Sequence, residues 1–278
     1  MTPGPHVLVL GVAQDGGHPQ PGCKRPCCRA SDVAAHLTTC VAVIDGKRGW
    51  LLDAGPDFPQ HLQRLDRAGV ELAGIMLTHG HIGHYTGLMY LGREAMDTRA
   101  LPVWAAPRLA AYLRGNGPWE QLVAVGNIEL MEIRAGIELT AAVRVEAFDV
   151  PHRDEYSETV GFRVVGPHSS LLYAPDTDGW EDWSPSVEQY VSEVDLALLD
   201  ATFFDTNELP TRDLSEIGHP LVVDSLARFG VLSDNDRAKI RFTHLNHSNP
   251  LLRPDSEESI RVARAGMSVA IEGDVYAL

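Results

Sequence analysis

Short apolar runs alternate with longer runs of mixed apolar and polar residues along most of the chain. The short runs are rich in Val, Ile and Leu, which is typical of strands buried in a sheet. They predict strands at 6–12, 37–44, 49–52, 74–77, 102–104, 159–165, 169–173, 196–199, 240–243 and 268–271, with two or three more between 128 and 150. The longer runs predict helices at 58–68, 86–95, 107–114, 186–193, 220–229 and 257–265, and Asp57 is predicted to cap the first.

Strands followed by helices occur in both halves of the chain, and this order predicts an α/β protein. Two β-sheets packed face to face with helices on both outer sides satisfy it, which is a four-layer αββα sandwich. No linker, low-complexity segment or shift in composition divides the chain. We therefore expect residues 1–278 to form a single domain.

The composition is that of an ordinary globular protein with a strongly acidic balance. Of the 278 residues, 44% are hydrophobic and 22% are charged, and the net charge is −15. A negative field of this size repels phosphate backbones, so a nucleic acid partner is not expected. No apolar run approaches the roughly 20 residues that span a bilayer, and residues 1–5 lack the basic start of a signal peptide. We expect a cytoplasmic protein that acts on a small-molecule substrate away from membranes; a homodimer is left open.

A cluster of histidines follows the predicted strand at 74–77. His79, His81 and His84 lie within six residues, and two glycines between them disfavour a helix. The histidines are therefore expected on a loop at the carboxyl end of a buried strand, where α/β proteins commonly place their chemistry. Several imidazoles on one short turn can converge on one ion. The pattern favours a metal site, and a polar surface turn is the alternative.

Three further candidate ligands recur at strand ends. His152, Asp176 and His244 each stand just beyond the end of a different predicted strand. A single histidine after a strand is usually an ordinary loop residue. Their joint recurrence at the ends of separate strands is what indicates a shared metal site.

The ordered set of histidines together with Asp176 resembles the ligand set of the metallo-β-lactamase fold superfamily, and the resemblance spans nearly the whole chain. The segment 51–55 resembles an early turn of that superfamily whose aspartate, here Asp53, supports the ligands. Two groups look most similar: coenzyme PQQ synthesis protein B and the phosphoribosyl cyclic phosphate phosphodiesterase of phosphonate breakdown. The shared marks are an early Gly-Gly-x-Pro with a cysteine cluster and the segments 200–203, 218–219 and 244–250.

This resemblance implies two metal positions. The implied ligands are His79, His81 and His152 for one ion and His84 and His244 for a second, with Asp176 bridging the two. Gly83 stands where the superfamily usually has an aspartate ligand, so the second ion is expected to bind weakly or not at all. One or two catalytic divalent ions are therefore implied, either zinc or else manganese or iron.

A cysteine cluster precedes the histidines. Cys23, Cys27 and Cys28 lie within six residues, and two of them are adjacent, which suits metal binding better than disulfide pairing. By the resemblance to the phosphodiesterase, His247 would complete a closed site with one structural zinc ion. The usual cysteine spacing is not kept, so the choice between Cys27 and Cys28 stays open. So does the alternative that these are reduced packing cysteines.

The remaining catalytic candidates are Asp200 and His219, beside Asp176. Asp200 ends a predicted strand, and His219 stands at a predicted helix start, where a carboxylate and the helix dipole can tune an imidazole. In phosphodiesterases of this fold a similarly placed histidine contacts the substrate phosphate or protonates the leaving group. A surface histidine is the alternative.

The sequence thus predicts a metal-dependent hydrolase that acts on a small-molecule phosphodiester or a related ester. In coenzyme PQQ synthesis protein B the histidine set looks degraded, so the intact set here favours hydrolysis. A biosynthetic or oxidative metalloenzyme like that protein, with iron, is the first alternative. A metal-stabilised scaffold without turnover is the second.

Overall fold

Two seven-stranded β-sheets face each other in the computed structural model, which describes residues 4–31, 33–133, 136–208 and 218–278. The first sheet holds, in spatial order, β14 (Val275–Ala277), β1 (His6–Gly11), β2 (Cys40–Asp45), β3 (Arg48–Leu52), β4 (Glu71–Met76), β5 (Leu101–Ala105) and β6 (Ile128–Glu132). The second holds β13 (Ser268–Val269), β12 (Ile240–Thr243), β11 (Leu196–Asp200), β10 (Ser170–Ala174), β9 (Val160–Val165), β8 (Arg144–Asp149) and β7 (Ile137–Glu138).

Short helices cover the outer faces of both sheets. Those described are α1 (Pro26–Arg29), α2 (Phe58–Arg67), α3 (Ile82–Tyr85), α4 (Pro107–Gly115), α5 (Trp119–Ala124), α6 (Val187–Ser192), α7 (Val222–Phe229), α8 (Asp234–Lys239) and α9 (Glu257–Arg264). Within the described ranges, no helix combines the length and the apolar composition needed to cross a membrane.

The buried apolar side chains of the described residues form three clusters that correspond to the contacts between layers. The cluster between the two sheets contains Trp50, Phe162 and Tyr173. A second cluster joins the first sheet to α2, α4 and α5, and a third joins the second sheet to α6, α7 and α9. Because β2 is covered on both faces, its first five residues are all buried, which explains its continuous apolar run. The predicted four-layer αββα sandwich is confirmed.

The segment after the histidine loop differs from its prediction. Instead of a regular helix over 86–95, α3 is followed by a 3₁₀ helix, Thr86–Leu91. The amide of Gly87 donates to the carbonyl of Ala54 at 2.8 Å, so it is not available for a bond within an α-helix. This long-range bond instead joins the histidine loop to the loop after β3.

The chain end and several boundaries also differ. The predicted closing strand at 268–271 is the two-residue β13, whereas β14 pairs antiparallel with β1 and closes the first sheet. Asp57 is at the N-cap position of α2, but its carboxylate accepts from the amide of Thr38, not from the helix. Helices α1, α3, α5 and α8 were not predicted. His84 lies in α3 and not on a loop, because the helix starts only after His81 and includes Gly83. The polar loop predicted before Gly218 falls largely on residues 209–217, outside the described residues.

The arrangement of the strands places many of the predicted site residues at one edge. Strands β10, β11 and β12 are parallel neighbours in the second sheet, and β3 and β4 are parallel neighbours in the first. Parallel strands end at the same edge of a sheet, so the residues that follow these strands are brought together.

Candidate metal centre

Asp53, directly after β3, organises the histidine loop. The amide and hydroxyl of Thr78 donate to Asp53 Oδ1 at 2.8 and 2.9 Å. Asp53 Oδ2 lies 2.9 Å from Nδ1 of His84. Because a carboxylate only accepts hydrogen bonds, that Nδ1 carries a hydrogen, and in the neutral ring it is Nε2 that keeps the lone pair able to bind an ion. Fully buried, Asp53 occupies the supporting position that the resemblance implies.

The first cluster of donor atoms contains Nε2 of His79, Nδ1 of His81, Nε2 of His152 and an oxygen of Asp176. The His81 nitrogen lies 2.9 Å from that of His79 and 3.2 Å from that of His152. Asp176 Oδ2 is 3.2 Å from the His79 nitrogen and 3.6 Å from the His152 nitrogen. A tetrahedral ion with metal–nitrogen bonds of about 2.0–2.1 Å separates its donors by about 3.3 Å. The spacing therefore fits a divalent ion.

Each ring in the first cluster is held through its other nitrogen. His152 Nδ1 lies 2.7 Å from Asp178 Oδ1, and His81 Nε2 lies 3.2 Å from Glu155 Oε2. The Thr78 hydroxyl donates to Asp53, so it accepts from Nδ1 of His79 at 3.0 Å. These contacts turn the lone pairs of the three rings towards one another, which is how metal-binding histidines are usually oriented.

A second cluster lies beside the first. Nε2 of His84 and Nε2 of His244 are 3.3 and 3.7 Å from Asp176 Oδ2, so Asp176 belongs to both clusters, as the bridging role requires. Asp15 Oδ1 lies 3.5 Å from the His84 nitrogen and 3.7 Å from the His244 nitrogen. Asp15 was not predicted, because the sequence around it reads only as the turn that ends β1.

The second cluster is rich in negative charge and in buried atoms without hydrogen bonds. Nε2 of His84, Nε2 of His244 and Oδ1 of Asp15 are all buried and have no hydrogen-bond partner in the described parts of the chain. Burial lowers the pKa of His84, but the Asp53, Asp15 and Asp176 carboxylates outweigh it and hold the pKa well above its ordinary value. A site with this excess of carboxylates favours a bound cation.

His219 lies at the edge of the centre, beside Asp176. Its Nδ1 is 2.7 Å from Asp200 Oδ2 and 3.2 Å from Asp176 Oδ1. Burial lowers the pKa of His219, but these two carboxylates outweigh it and raise the pKa to about 9. The predicted helix start is wrong, since α7 begins at Val222. The imidazole is therefore oriented by Asp200 and not by a helix dipole.

Asp200 is held in the same way as Asp53. The amide and hydroxyl of Thr202 each donate to Asp200 Oδ1 at 2.8 Å. The same hydroxyl accepts from Nδ1 of His244 at 2.9 Å, which leaves Nε2 of that ring free to face the second cluster. An aspartate and a threonine at a strand end thus orient a histidine in both sheets.

The cysteine cluster forms a separate group with the histidine predicted for it. The thiols of Cys23, Cys27 and Cys28 lie with a ring nitrogen of His247, all within 4.8 Å of one another. The sulfurs of Cys27 and Cys28 are 4.0 Å apart, and a tetrahedral zinc ion with Zn–S bonds of about 2.3 Å separates two sulfurs by about 3.8 Å. Both cysteines belong to the group, so the choice left open between them does not arise.

The chemistry of the cysteine group also suits a cation. Nδ1 of His247 is buried and has no hydrogen-bond partner in the described residues. Burial, together with the neighbouring thiols of Cys28 and Cys23, raises the pKa of Cys27 to about 11. A zinc ion reverses this effect, because it stabilises thiolates directly.

The sequence missed three acidic residues of the centre: Asp15, Glu155 and Asp178. Asp178 had a usable signal, since it stands two residues after Asp176 in the same turn. Asp15 directly precedes the early Gly-Gly-x-Pro, whereas Glu155 lies on a loop with no distinctive pattern. Only the folded chain shows which histidines they face.

Comparison with known proteins supports the same fold. A family model described as the beta-lactamase superfamily domain matches residues 48–232. Coenzyme PQQ synthesis protein B from Methylorubrum extorquens is 26% identical over 300 residues, covering 96% of this chain and 98% of the relative. The sequence resemblance to this superfamily and to that group is confirmed.

Two solved structures align over almost the whole chain. Zinc-bound PqqB from Methylobacterium extorquens has a TM-score of 0.83 at 25% identity, covering 98% of this chain and 100% of that one. A diphosphatase from the PhnP family has a TM-score of 0.72 at 23% identity, covering 99% and 98%, and this likeness concerns the fold alone. The chain belongs to the beta-lactamase superfamily and has the metallo-β-lactamase fold.

Proposed function

We propose that this protein is a metal-dependent hydrolase that adds water to a small-molecule phosphodiester or a related ester. The observation that carries the proposal is the pair of adjacent donor clusters, each with two histidine nitrogens 3.2–3.7 Å from Asp176 Oδ2. When bound there, a divalent ion would supply a Lewis acid and lower the pKa of a coordinated water to about 7. Imidazole and carboxylate donors suit zinc and also manganese or iron.

The ligands we propose follow the two clusters. His79, His81, His152 and Asp176 hold one ion; His84, His244 and Asp176 contribute to a second. The supporting contacts of Asp53, Asp178 and Glu155 fix the rings before any ion binds, so little conformational entropy remains to be lost on binding.

We propose that His219 assists departure of the leaving group. With a pKa raised to about 9, its ring is an imidazolium at neutral pH when no ion is bound. Its Nδ1 is engaged by Asp200 Oδ2 at 2.7 Å, so Nε2 is the nitrogen available to a substrate. From there it can donate a proton to the departing oxygen or a hydrogen bond to the phosphate.

The cysteine group is proposed to hold zinc for structure. Cys23, Cys27, Cys28 and His247 form a closed set of four donors, which leaves no open position for a substrate. The ion would join the N-terminal loop to the loop after β12, which carries His244. It would thereby fix two loops that border the centre.

Replacing Cys23 with serine is expected to remove about one zinc equivalent and lower the melting temperature, while the metals of the catalytic centre remain. Binding to small zinc peptides contributes about 10–16 kcal/mol, so losing even part of this matters to a domain stable by about 5–15 kcal/mol. Cys40→Ala is the matched control, because Cys40 is buried in the core outside the cluster and should retain all zinc. Loss of activity at unchanged stability would contradict the structural role, as would a Cys23–Cys27 disulfide in protein purified under reducing conditions.

Further features of the setting are proposed from the charge and composition of the chain. The net charge of −15 disfavours a nucleic acid as substrate. We propose a small molecule as substrate and a cytoplasmic location. A homodimer stays open.

The hydrolase proposal is tested by turnover with and without oxygen. Protein loaded with zinc or manganese is assayed on aryl phosphodiesters, phosphomonoesters and carboxylic esters, in air and under nitrogen. Hydrolysis of a diester at equal rates in both atmospheres, and its loss after chelation, is the expected result. No turnover of any ester by fully loaded protein would contradict the proposal and favour a non-enzymatic scaffold.

A biosynthetic or oxidative metalloenzyme is the second candidate. It is favoured by the 26% identity to coenzyme PQQ synthesis protein B across 96% of this chain. Iron bound by histidine and carboxylate would suit such chemistry. In the same assay this candidate predicts activity only with iron and oxygen.

A further inference from the structure

Gly83 carries no donor side chain, yet the space beside it is not empty. A Cβ placed on Gly83 would lie 1.9 Å from Oδ1 and 2.5 Å from Cγ of Asp15. The Asp15 carboxylate therefore occupies the volume into which a side chain at position 83 would project. A carboxylate is present at this place, and it comes from a different part of the chain.

We propose that Asp15 is a metal ligand of the second cluster and supplies the carboxylate that position 83 lacks. The inference rests on the proposed metal centre and names a ligand that the sequence does not indicate. Together with His84, His244 and Asp176, Asp15 gives the second ion four protein donors. The earlier expectation of a weak or absent second ion, drawn from Gly83 alone, is thereby replaced.

The donor atoms of this site are unpaired and close together. Oδ1 of Asp15 and Nε2 of both His84 and His244 are buried, with no hydrogen-bond partner among the described residues. Both histidine side chains are only 1% exposed. Leaving three such atoms unpaired costs free energy unless a cation is bound between them. The 3.5 and 3.7 Å separations of Asp15 from the two nitrogens fit donors around one ion.

The backbone holds Asp15 in register with His244. The amide of Gln14 donates to the carbonyl of Leu245, and the amide of Leu245 donates to the carbonyl of Val12, each at 2.8 Å. The Gln14 side chain also accepts from the side-chain amide of Asn246 at 2.6 Å. Because the residues beside Asp15 pair directly with those after His244, the two donors are fixed relative to each other.

A carboxylate side chain does not fit at position 83 while the Asp15 carboxylate is in place. A Cβ on Gly55 would lie only 2.1 Å from the carbonyl oxygen of Gly83, so the Gly83 backbone cannot retreat on that side. Gly83→Asp on its own is therefore not expected to raise occupancy of the second site. That variant should instead displace Asp15 and weaken the site.

The test is metal content and affinity, measured without substrate. Zinc is quantified by mass spectrometry after dialysis, and its affinity is measured by competition with a chromophoric chelator. The unmodified protein is expected to hold two catalytic equivalents and one structural equivalent. In Asp15→Asn the second catalytic ion should bind at least about tenfold more weakly, while the other two remain. Asp45→Asn, at the turn between β2 and β3, is the control and should match the unmodified protein.

A second variant, in which the carboxylate moves from position 15 to position 83, distinguishes the loss of a ligand from misfolding. In the double variant Asp15→Gly, Gly83→Asp the two closest clashes, with Oδ1 and Cγ of Asp15, are removed, and the backbone at position 15 must move away from the new Cβ, which would lie 2.9 Å from its Cα. Recovery of the second ion in the double variant, after its loss in each single variant, supports the inference. Full affinity for both catalytic ions in folded Asp15→Asn would overturn it, as would an unmodified protein that binds a single catalytic ion.

Failure here is distinguishable from failure of the proposed function. If Asp15→Asn loses one ion but the unmodified protein hydrolyses no ester, the ligand assignment stands and the hydrolase proposal falls. If the unmodified protein hydrolyses a diester and Asp15→Asn keeps both ions, the reverse holds.

Discussion

His81→Ala is expected to lower bound metal by about one equivalent and to abolish turnover. The change removes one of the three imidazoles of the first cluster. Nδ1 of the His81 ring lies 2.9 Å from Nε2 of His79 and 3.2 Å from Nε2 of His152. The first ion then loses one of its four protein donors and keeps two histidines and the carboxylate that it shares with the second cluster, so it should bind much more weakly. Metal content by mass spectrometry and diester hydrolysis are measured on the same preparation.

The control for this variant is His168→Ala. His168 is exposed in the turn between β9 and β10, so its loss should change neither metal content nor rate. Unchanged metal content and turnover in His81→Ala would show that His81 does not bind a catalytic ion. A melting temperature close to that of the unmodified protein would show that the loss is not one of folding.

His219→Ala is expected to reduce kcat by about 10²–10⁴-fold, the usual contribution of general acid catalysis. Metal content should be unchanged, because Nδ1 of His219 is engaged by Asp200 and Asp176. The loss should shrink for diesters with good leaving groups such as nitrophenolate, which need little protonation. Rates for a series of leaving groups of different pKa provide the measurement.

Three other results would assign a different role to His219. An equal loss for good and poor leaving groups would mean that the ring positions the phosphate. Loss of a metal ion would make it a ligand, since its ring also lies within reach of Asp176, Asp200 and His244. No loss at all would return it to an ordinary structural histidine.

The sequence predicted the part of the centre that lies at strand ends. His79, Asp176 and His244 follow apolar runs, and parallel strands bring such positions together whatever the loops between them do. His152 follows β8, which pairs antiparallel with β9 and alternates polar and apolar residues. Burial on both faces made strands such as β2 and β11 easy to find, because every residue along them is apolar or nearly so. The same reasoning located Asp200.

The rest depended on contacts between distant segments, which a one-dimensional pattern does not contain. Asp15 reaches the second cluster because the segment after β1 pairs with the segment after β12. In place of the helix expected over 86–95 there is a 3₁₀ helix, Thr86–Leu91, whose Gly87 amide bonds to the distant carbonyl of Ala54. Strand β14 has three residues, too few for its alternation to be recognised in the sequence, although it pairs with β1 and forms an edge of the first sheet.

The central claim is that water is added to a phosphodiester at this metal centre. The direct measurement is hydrolysis of bis(p-nitrophenyl) phosphate under nitrogen in water labelled with heavy oxygen, followed by mass spectrometry of the nitrophenyl phosphate formed. The account predicts one labelled oxygen per product molecule, since the P–O bond to nitrophenolate breaks and one water oxygen enters the phosphate. Chelation should stop the reaction, and zinc or manganese should restore it. The proposed hydrolysis would be contradicted if fully loaded protein formed no product, or formed product only when oxygen is admitted.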